Sequence, residues 1–196
     1  GQEAGEIYAY VAKPGRFVVL DAKGKEKGGW TGEGDGVVGD VRGIAVSSKY
    51  GVFASDAKGD KLVNYSAKGE HKANFGEAKG VFASTKKEGR VRNPQGIAIN
   101  EKGVIYVADT GNRRVDAFGP DGTYMFGFGP VLGPHEFDRP VDVAFDEAGF
   151  VYVLDAGLKK VFKCEPSGGF IKAWGEAGEG VRQFEDPAAL AFDGKT

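Results

Sequence analysis

The sequence predicts an all-β propeller, built of four-stranded antiparallel blades, and three observations predict it. Short apolar segments recur along the chain at a near-constant spacing. Each is followed by the same succession of aspartate, β-rich run, turn glycine and aromatic residue. Glycine fills 33 of 196 positions, about one in six against a usual share of roughly 7%, without the three-residue period of collagen. With 41% apolar and 12% aromatic residues, the glycines punctuate a folded, turn-rich chain.

The apolar segments are Gly43–Ser47, Gly96–Asn100, Asp142–Asp146 and Ala189–Asp193. Their central alanines, Ala45, Ala98, Ala144 and Ala191, lie 53, 46 and 47 residues apart. Pro94, Pro140 and Pro187 precede the last three. Asp56, Asp109 and Asp155 follow, then β-rich runs from Leu62, Val115 and Val161. Next come turn glycines, Gly69, Gly122 and Gly168, and six residues beyond each an aromatic, Phe75, Phe128 and Trp174. The N-terminal stretch keeps the register with Phe17, Gly24 and Trp30, but has Val11 where aspartate is expected.

Each unit reads strand–turn–strand–turn–strand–turn–strand, with β-branched and aromatic residues in the strands and Gly, Pro, Asn and Asp between them. Unit three is clearest: Gly96–Asn100, Val104–Asp109, Val115–Phe118 and Tyr124–Phe128. Four strands in about 40–50 residues is the period of a propeller blade. Blades converge on an axis, so the innermost strand has to be narrow, and alanine occupies its centre in every unit. The outermost strand has room for the recurring aromatic.

The predicted organisation is a single domain over residues 1–196, with blade units at 43–75, 96–128, 142–174 and a fourth assembled from 6–30 plus 188–193. That makes four blade equivalents, either a closed small propeller or part of a six-bladed one.

The stretch from Pro94 to Val115, with Asn112-Arg113-Arg114-Val115 at its end, resembles the NHL repeat, as does its continuation through Phe118, Asp121-Gly122 and Phe128-Gly129. Unit four is similar, and units two and one less so. The resemblance implies a propeller, usually six-bladed, that most often serves as a binding platform. A minority of such proteins are peptidyl-hydroxyglycine lyases, and related propellers include metal-dependent lactonases.

Composition narrows the functions. The net charge is −2, against the strong basic excess of dedicated nucleic-acid binders. No apolar run approaches the ~20 residues of a membrane span. One cysteine excludes an internal disulfide framework and a multi-cysteine zinc site. No signal peptide or initiator methionine is visible, so the chain reads as a mature or trimmed form.

Several residue sets are candidates for function. Arg16, Lys61, Arg114 and Lys160 stand just before the third strand of each unit. They are expected to pair with the aspartates that end the second strand, Asp56, Asp109 and Asp155. Ser47, Asn100, Asp146 and Asp193 end the innermost strands. As a converging ring they could hold a hard cation, but Asx-type turns are the expected role. Only two histidines are present, His71 and His135, too few for a polyhistidine metal site. Cys164 falls in an apolar register and reads as a core thiol. Asn64-Tyr65-Ser66 matches a glycosylation acceptor inside a predicted strand.

The loops joining successive blades share one face, whose charges sum to about +1, which disfavours a general RNA platform. Within it, the longest loop, Gly76 to Gln95, combines an apolar anchor with charge. Phe82, Lys86, Lys87, Arg90 and Arg92, extended by His135 and Phe137, form the predicted binding patch. The reading is a non-catalytic scaffold without cofactor, binding a protein or joining a larger assembly. A propeller enzyme with a metal in the central channel is the alternative, and a structural subunit a second one. Completion of the propeller by another chain or a missing segment is expected, and so is an extracytoplasmic (periplasmic or secreted) location.

Overall fold

A computed structural model describes residues 5–77, 88–129 and 136–192. Its strands form four antiparallel sheets and one short parallel bridge. The first sheet holds β1 (Ile7–Val11), β2 (Arg16–Leu20) and β3 (Glu26–Trp30). The second holds β4 (Val41–Ser47), β5 (Gly51–Asp56), β6 (Lys61–Tyr65) and β7 (His71–Phe75). The third holds β8 (Pro94–Ile99), β9 (Ile105–Asp109), β10 (Arg114–Phe118) and β11 (Tyr124–Phe128). The fourth holds β12 (Pro140–Phe145), β13 (Val151–Asp155), β14 (Lys160–Cys164) and β15 (Phe170–Trp174). The bridge joins β16 (Glu176–Ala177) to β17 (Gln183–Phe184).

In the second, third and fourth sheets every strand pairs with the next in sequence. The tight turns that allow this are closed by short polar side chains. Asn100 Oδ1 accepts the N–H groups of Lys102 and Val104, and Ser66 Oγ those of Lys68 and Glu70. The first strands β4, β8 and β12 lie side by side and line the axis. These are four-stranded propeller blades in an all-β chain.

Alternation along the innermost strands packs the blades. Ile44 joins the cluster shared by the first and second sheets, and Ala45 the one shared by the second and third. Ile97 and Ala98 repeat the pattern one blade on, and Val143 again faces back. Each branched side chain thus meets the preceding blade, while alanine leaves room for the following one. Gly43 and Gly96 bring these strands closer still. A Cβ on Gly43 would stand 2.8 Å from the Gln95 carbonyl oxygen, and one on Gly96 would stand 2.6 Å from the Asp142 Cα.

The last-strand aromatics tie each blade to its successor. Trp30 lies over turn glycine Gly69, Phe75 over Gly122 and Phe128 over Gly168. All three glycines have positive φ, and their missing side chains leave the space that the rings fill.

Among the described residues, the segments 6–30 and 188–192 predicted to share a fourth blade are not paired in one sheet. The first sheet has three strands, and Ala188–Phe192 is paired with none of them. That segment rests on the fourth sheet instead, with Leu190 partly buried and Phe192 exposed. Leu190 packs against the cluster of Val141, Leu154, Ala156 and Val161. Its N–H donates to Asp142 Oδ2 at 2.7 Å, and Phe192 meets Tyr152 edge-to-face at 4.5 Å.

Candidate functional site

The three buried aspartates hold the blade-to-blade loops in place. Asp56 accepts the N–H groups of Gly39 and Asp40 at 3.0 and 2.9 Å. Asp109 accepts the Arg92 N–H at 2.7 Å. Asp155 accepts those of Asp138 and Arg139 at 2.7 and 3.0 Å. The loop returns a bond each time: the Ala57, Gly111 and Ala156 N–H groups donate to the carbonyls of Asp40, Arg92 and Arg139. A carboxylate receiving backbone N–H groups away from water makes a strong, directional tie. Each of these three loops therefore enters its blade along a fixed path.

The expected charge pairs are present in one blade only. Arg114 Nε meets Asp109 Oδ2 at 3.1 Å, and Arg114 Nη2 meets Asp116 Oδ2 at 2.8 Å. Arg16, with Val11 opposite in place of aspartate, pairs bidentately with Glu26. Lys61 Nζ donates to the Asp35 carbonyl at 3.4 Å, and Lys160 is exposed. Because backbone N–H groups already saturate Asp56 and Asp155, the basic residue there is not needed to balance the carboxylate.

The longest loop has the most elaborate base. Val91 is buried, and its N–H closes the loop onto the Gly76 carbonyl at 2.8 Å. The Arg90 carbonyl accepts from Asn112 Nδ2 and Arg114 Nη2 at 3.1 and 2.9 Å. The Asn93 N–H donates to Asp60 Oδ1 at 2.7 Å. Arg90 is partly exposed and Arg92 exposed. Phe82, Lys86, Lys87 and His135 lie outside the described residues.

Phe137 corrects the predicted patch. Only 2% exposed, it sits between Phe128 and Phe162 at 6.3 and 5.1 Å. A ring locked in the core between the third and fourth sheets is unavailable to a partner. Among the described residues, three arginines of this face are paired with carboxylates. Arg42 pairs with Asp40, Arg113 with Asp138, and Arg139 with Asp186.

The polar residues at the ends of the innermost strands serve their own turns. Ser47 Oγ accepts from the Lys49 and Tyr50 N–H groups, both at 3.3 Å. Asp146 accepts the Phe150 N–H, the Tyr152 hydroxyl and Lys163 Nζ. Asp193 lies outside the described residues. Cys164 is buried among apolar neighbours, which pushes its thiol up to about 11. Asn64 is buried within β6, where no glycan fits. His71 lies on the outermost strand β7.

Two carboxylates escaped the sequence reading. Asp142 stands where the second and third blades have Gly43 and Gly96. It borders a cleft of about 460 Å³ at the axis, lined by the innermost strands and Ala188–Leu190. Its oxygens accept the Val143 and Leu190 N–H groups, and burial raises its pKa. The break in the glycine register was the signal. Asp116 shares Arg114 with Asp109, and its Oδ1 is buried with no hydrogen-bond partner among the described residues.

Rigid antiparallel blades around an axis, with anchored loops on one face, define a β-propeller protein. Residues 91–118 match the NHL repeat, a span that covers β8, β9 and β10 with the base of the longest loop. No curated protein matches the chain in sequence. Among solved structures, it resembles the nidogen/laminin complex at 19% identity, covering 97% of this chain and 65% of that one, with a TM-score of 0.70. Virginiamycin B lyase from Staphylococcus aureus, in a catalytically inactive histidine-to-alanine variant with quinupristin, shares 14% identity over 97% of this chain and 57% of its own, at a TM-score of 0.68. A streptogramin B lyase shares 16% over 87% and 51%, at 0.64. The chain thus spans between half and two thirds of the length of these propellers, and the likeness is one of fold.

Proposed function

We propose that this protein is a non-catalytic binding scaffold that presents its blade-to-blade loops, above all the loop from Gly76 to Gln95, to a protein partner. The observation that carries the reading is the anchoring of that loop's base. Five hydrogen bonds between Arg90, Arg92 or Asn93 and the scaffold fix where the loop returns, and the Val91 N–H closes it onto the Gly76 carbonyl. Loops on a rigid scaffold bind with less ordering cost than free segments. The nidogen/laminin propeller shows that such a fold can meet a protein. The extracytoplasmic location belongs to the same proposal.

The test compares the wild-type chain with one lacking residues 80–88 and with an R90A/R92A variant. Proteins captured from the producing cells are identified, purified and titrated against all three. A partner whose Kd weakens by about tenfold or more in both variants supports the reading. Partners that bind all three chains equally overturn it.

An enzyme working at the axis has one observation in its favour, the raised carboxyl group of Asp142 in the cleft. Both of its oxygens, however, already accept backbone N–H groups. The virginiamycin B lyase loses activity with one histidine, whereas the described histidine here, His71, sits on an outer strand. Consumption of virginiamycin B by the wild-type chain, lost in D142N, would favour this second reading.

A further inference from the structure

The turns that follow the innermost strands lie on the face opposite the blade-to-blade loops. By strand register, residues 47–51, 100–104 and 146–150 correspond in the second, third and fourth blades. One position in this series holds Tyr50, then Gly103, then Gly149. Tyr50 leans across to the third blade. Its ring lies over Gly103, where an added Cβ would stand 2.7 Å from Tyr50 Cζ, and it packs on the core shared by the two blades.

The third blade sends no such ring to the fourth, because Gly103 stands in the place of Tyr50. Nothing lies within 4 Å of a Cβ built on Gly149. The result is a groove of about 350 Å³, framed wholly by the third and fourth blades. Ile99 and Phe145, which end β8 and β12, line it and are only partly buried. Glu101 and Glu147 border it as exposed carboxylates that, among the described residues, make no ion pair. They outnumber the one exposed cation there, Lys102. Asp146 also borders the groove, but Lys163 Nζ already meets it at 3.0 Å.

We propose that this groove binds a tyrosine side chain of a partner protein, presented with a lysine or arginine directly before it. Two observations choose that occupant. Tyr50 shows the ring that this repeat accepts between neighbouring blades, and Lys49, directly before it, holds its Nζ 4.9 Å from the ring centroid. The acidic border supplies the complement for such a cation, which sets specificity and register. A phenol ring suits a groove with an apolar lining and a wet border, because its body is apolar and its hydroxyl is not. The site lies away from the loop from Gly76 to Gln95, so it stands or falls independently of what that loop binds.

NMR of the isotope-labelled 196-residue chain provides the test, with acetyl-Ser-Lys-Tyr-Gly-amide, a copy of residues 48–51, as the probe. The titration runs to about 10 mM, since one side chain on a short peptide binds in the millimolar range. Saturable shifts are expected at the amides of Lys102, Glu147 and Gly149. Peptides with alanine for the tyrosine, or glutamate for the lysine, are expected to bind at least about threefold more weakly. Two variants sharpen the result, A148W, which fills the groove, and E101Q/E147Q, which removes its charge. All three positions are exposed, so the fold is expected intact, as amide shifts distant from the groove report. A148W is expected to weaken the probe by about tenfold or more. E101Q/E147Q is expected to bind the lysine and glutamate peptides alike. No shift at the groove by the end of the titration overturns the proposal, as do shifts centred elsewhere. An alanine peptide that binds as well as the probe overturns it too, and so does E101Q/E147Q with the wild-type preference for lysine.

Discussion

Phe75 of the second blade rests directly on Gly122 of the third: a Cβ on that glycine would stand 2.9 Å from the Phe75 Cβ. Two features that look separate in the sequence, a turn glycine and an aromatic on the outermost strand, are thus one device. It couples neighbouring blades at their periphery, where the axial strands cannot reach. Each latch also fixes the angle between two blades, and so the positions of the loops on the opposite edge.

Gly122→Ala is expected to destabilise the protein by about 2–3 kcal/mol, from the strained positive φ plus the clash with Phe75. Gly24→Ala, where nothing lies within 4 Å of the added Cβ, carries the strain alone, about 1 kcal/mol. Urea unfolding of both variants at low protein concentration measures the difference. Equal losses would mean that the ring contact contributes nothing beyond backbone geometry.

Asp155 accepts four backbone N–H groups, from Asp138, Arg139, Gly157 and Leu158. Truncation to alanine orphans them in a site without solvent, so Asp155→Ala is expected to cost about 3 kcal/mol or more. Asp155→Asn, which keeps one acceptor oxygen, is expected to lose less. Hydrogen exchange at Asp138 and Arg139 should accelerate in both. Unchanged exchange there would show that the loop is held by something else.

Much of this architecture is legible in the sequence. The period and the latch aromatics show because each blade repeats one steric problem, a narrow axis and a wide rim, and solves it with the same residue types. The aspartates also show, but not their partners. A side-chain pattern suggests Lys61 or Lys160 for the charge, whereas the real partners are N–H groups that every residue carries. Phe137 looked like a binding residue because a loop has no period from which burial can be read. Its ring fills the gap between Phe128 and Phe162, which only the assembled blades create. Asp142 was visible as a departure from the glycine at Gly43 and Gly96, and the departure marks the axial cleft.

Cys164 offers a check on core packing between the third and fourth blades. Burial pushes its thiol up to about 11, so at pH 8 the thiolate is about two orders of magnitude scarcer than for a free cysteine. Labelling by a disulfide reagent is expected to be negligible in the native protein and complete in urea. Fast native labelling would mean that the blades separate readily.

Asp116 makes stability depend on pH in a particular direction. Desolvation raises its pKa to about 7, and the Asp109 carboxylate beside it adds to the effect, while Arg114 opposes both. Tyr124, whose hydroxyl lies near the same site, stays neutral over this range, its own pKa raised by burial. An acid whose folded pKa exceeds its unfolded value holds its proton longer in the folded state. Stability then falls as pH rises from about 4 to about 7 and is flat above that. One guanidinium cannot compensate two buried carboxylates, so the loss appears when the second ionises. Asp116→Asn mimics the protonated form and leaves the Arg114–Asp109 pair neutral overall. Its melting temperature is expected to fall less than that of wild type between pH 4.5 and 7.5, by roughly 5 °C. Asp142, whose pKa is also raised, contributes the same slope to both proteins and cancels in the comparison, whereas Asp109 titrates together with Asp116, so the difference reports on that pair. Parallel melting profiles for the two would show that Asp116 is ionised throughout and that Arg114 carries both charges unaided.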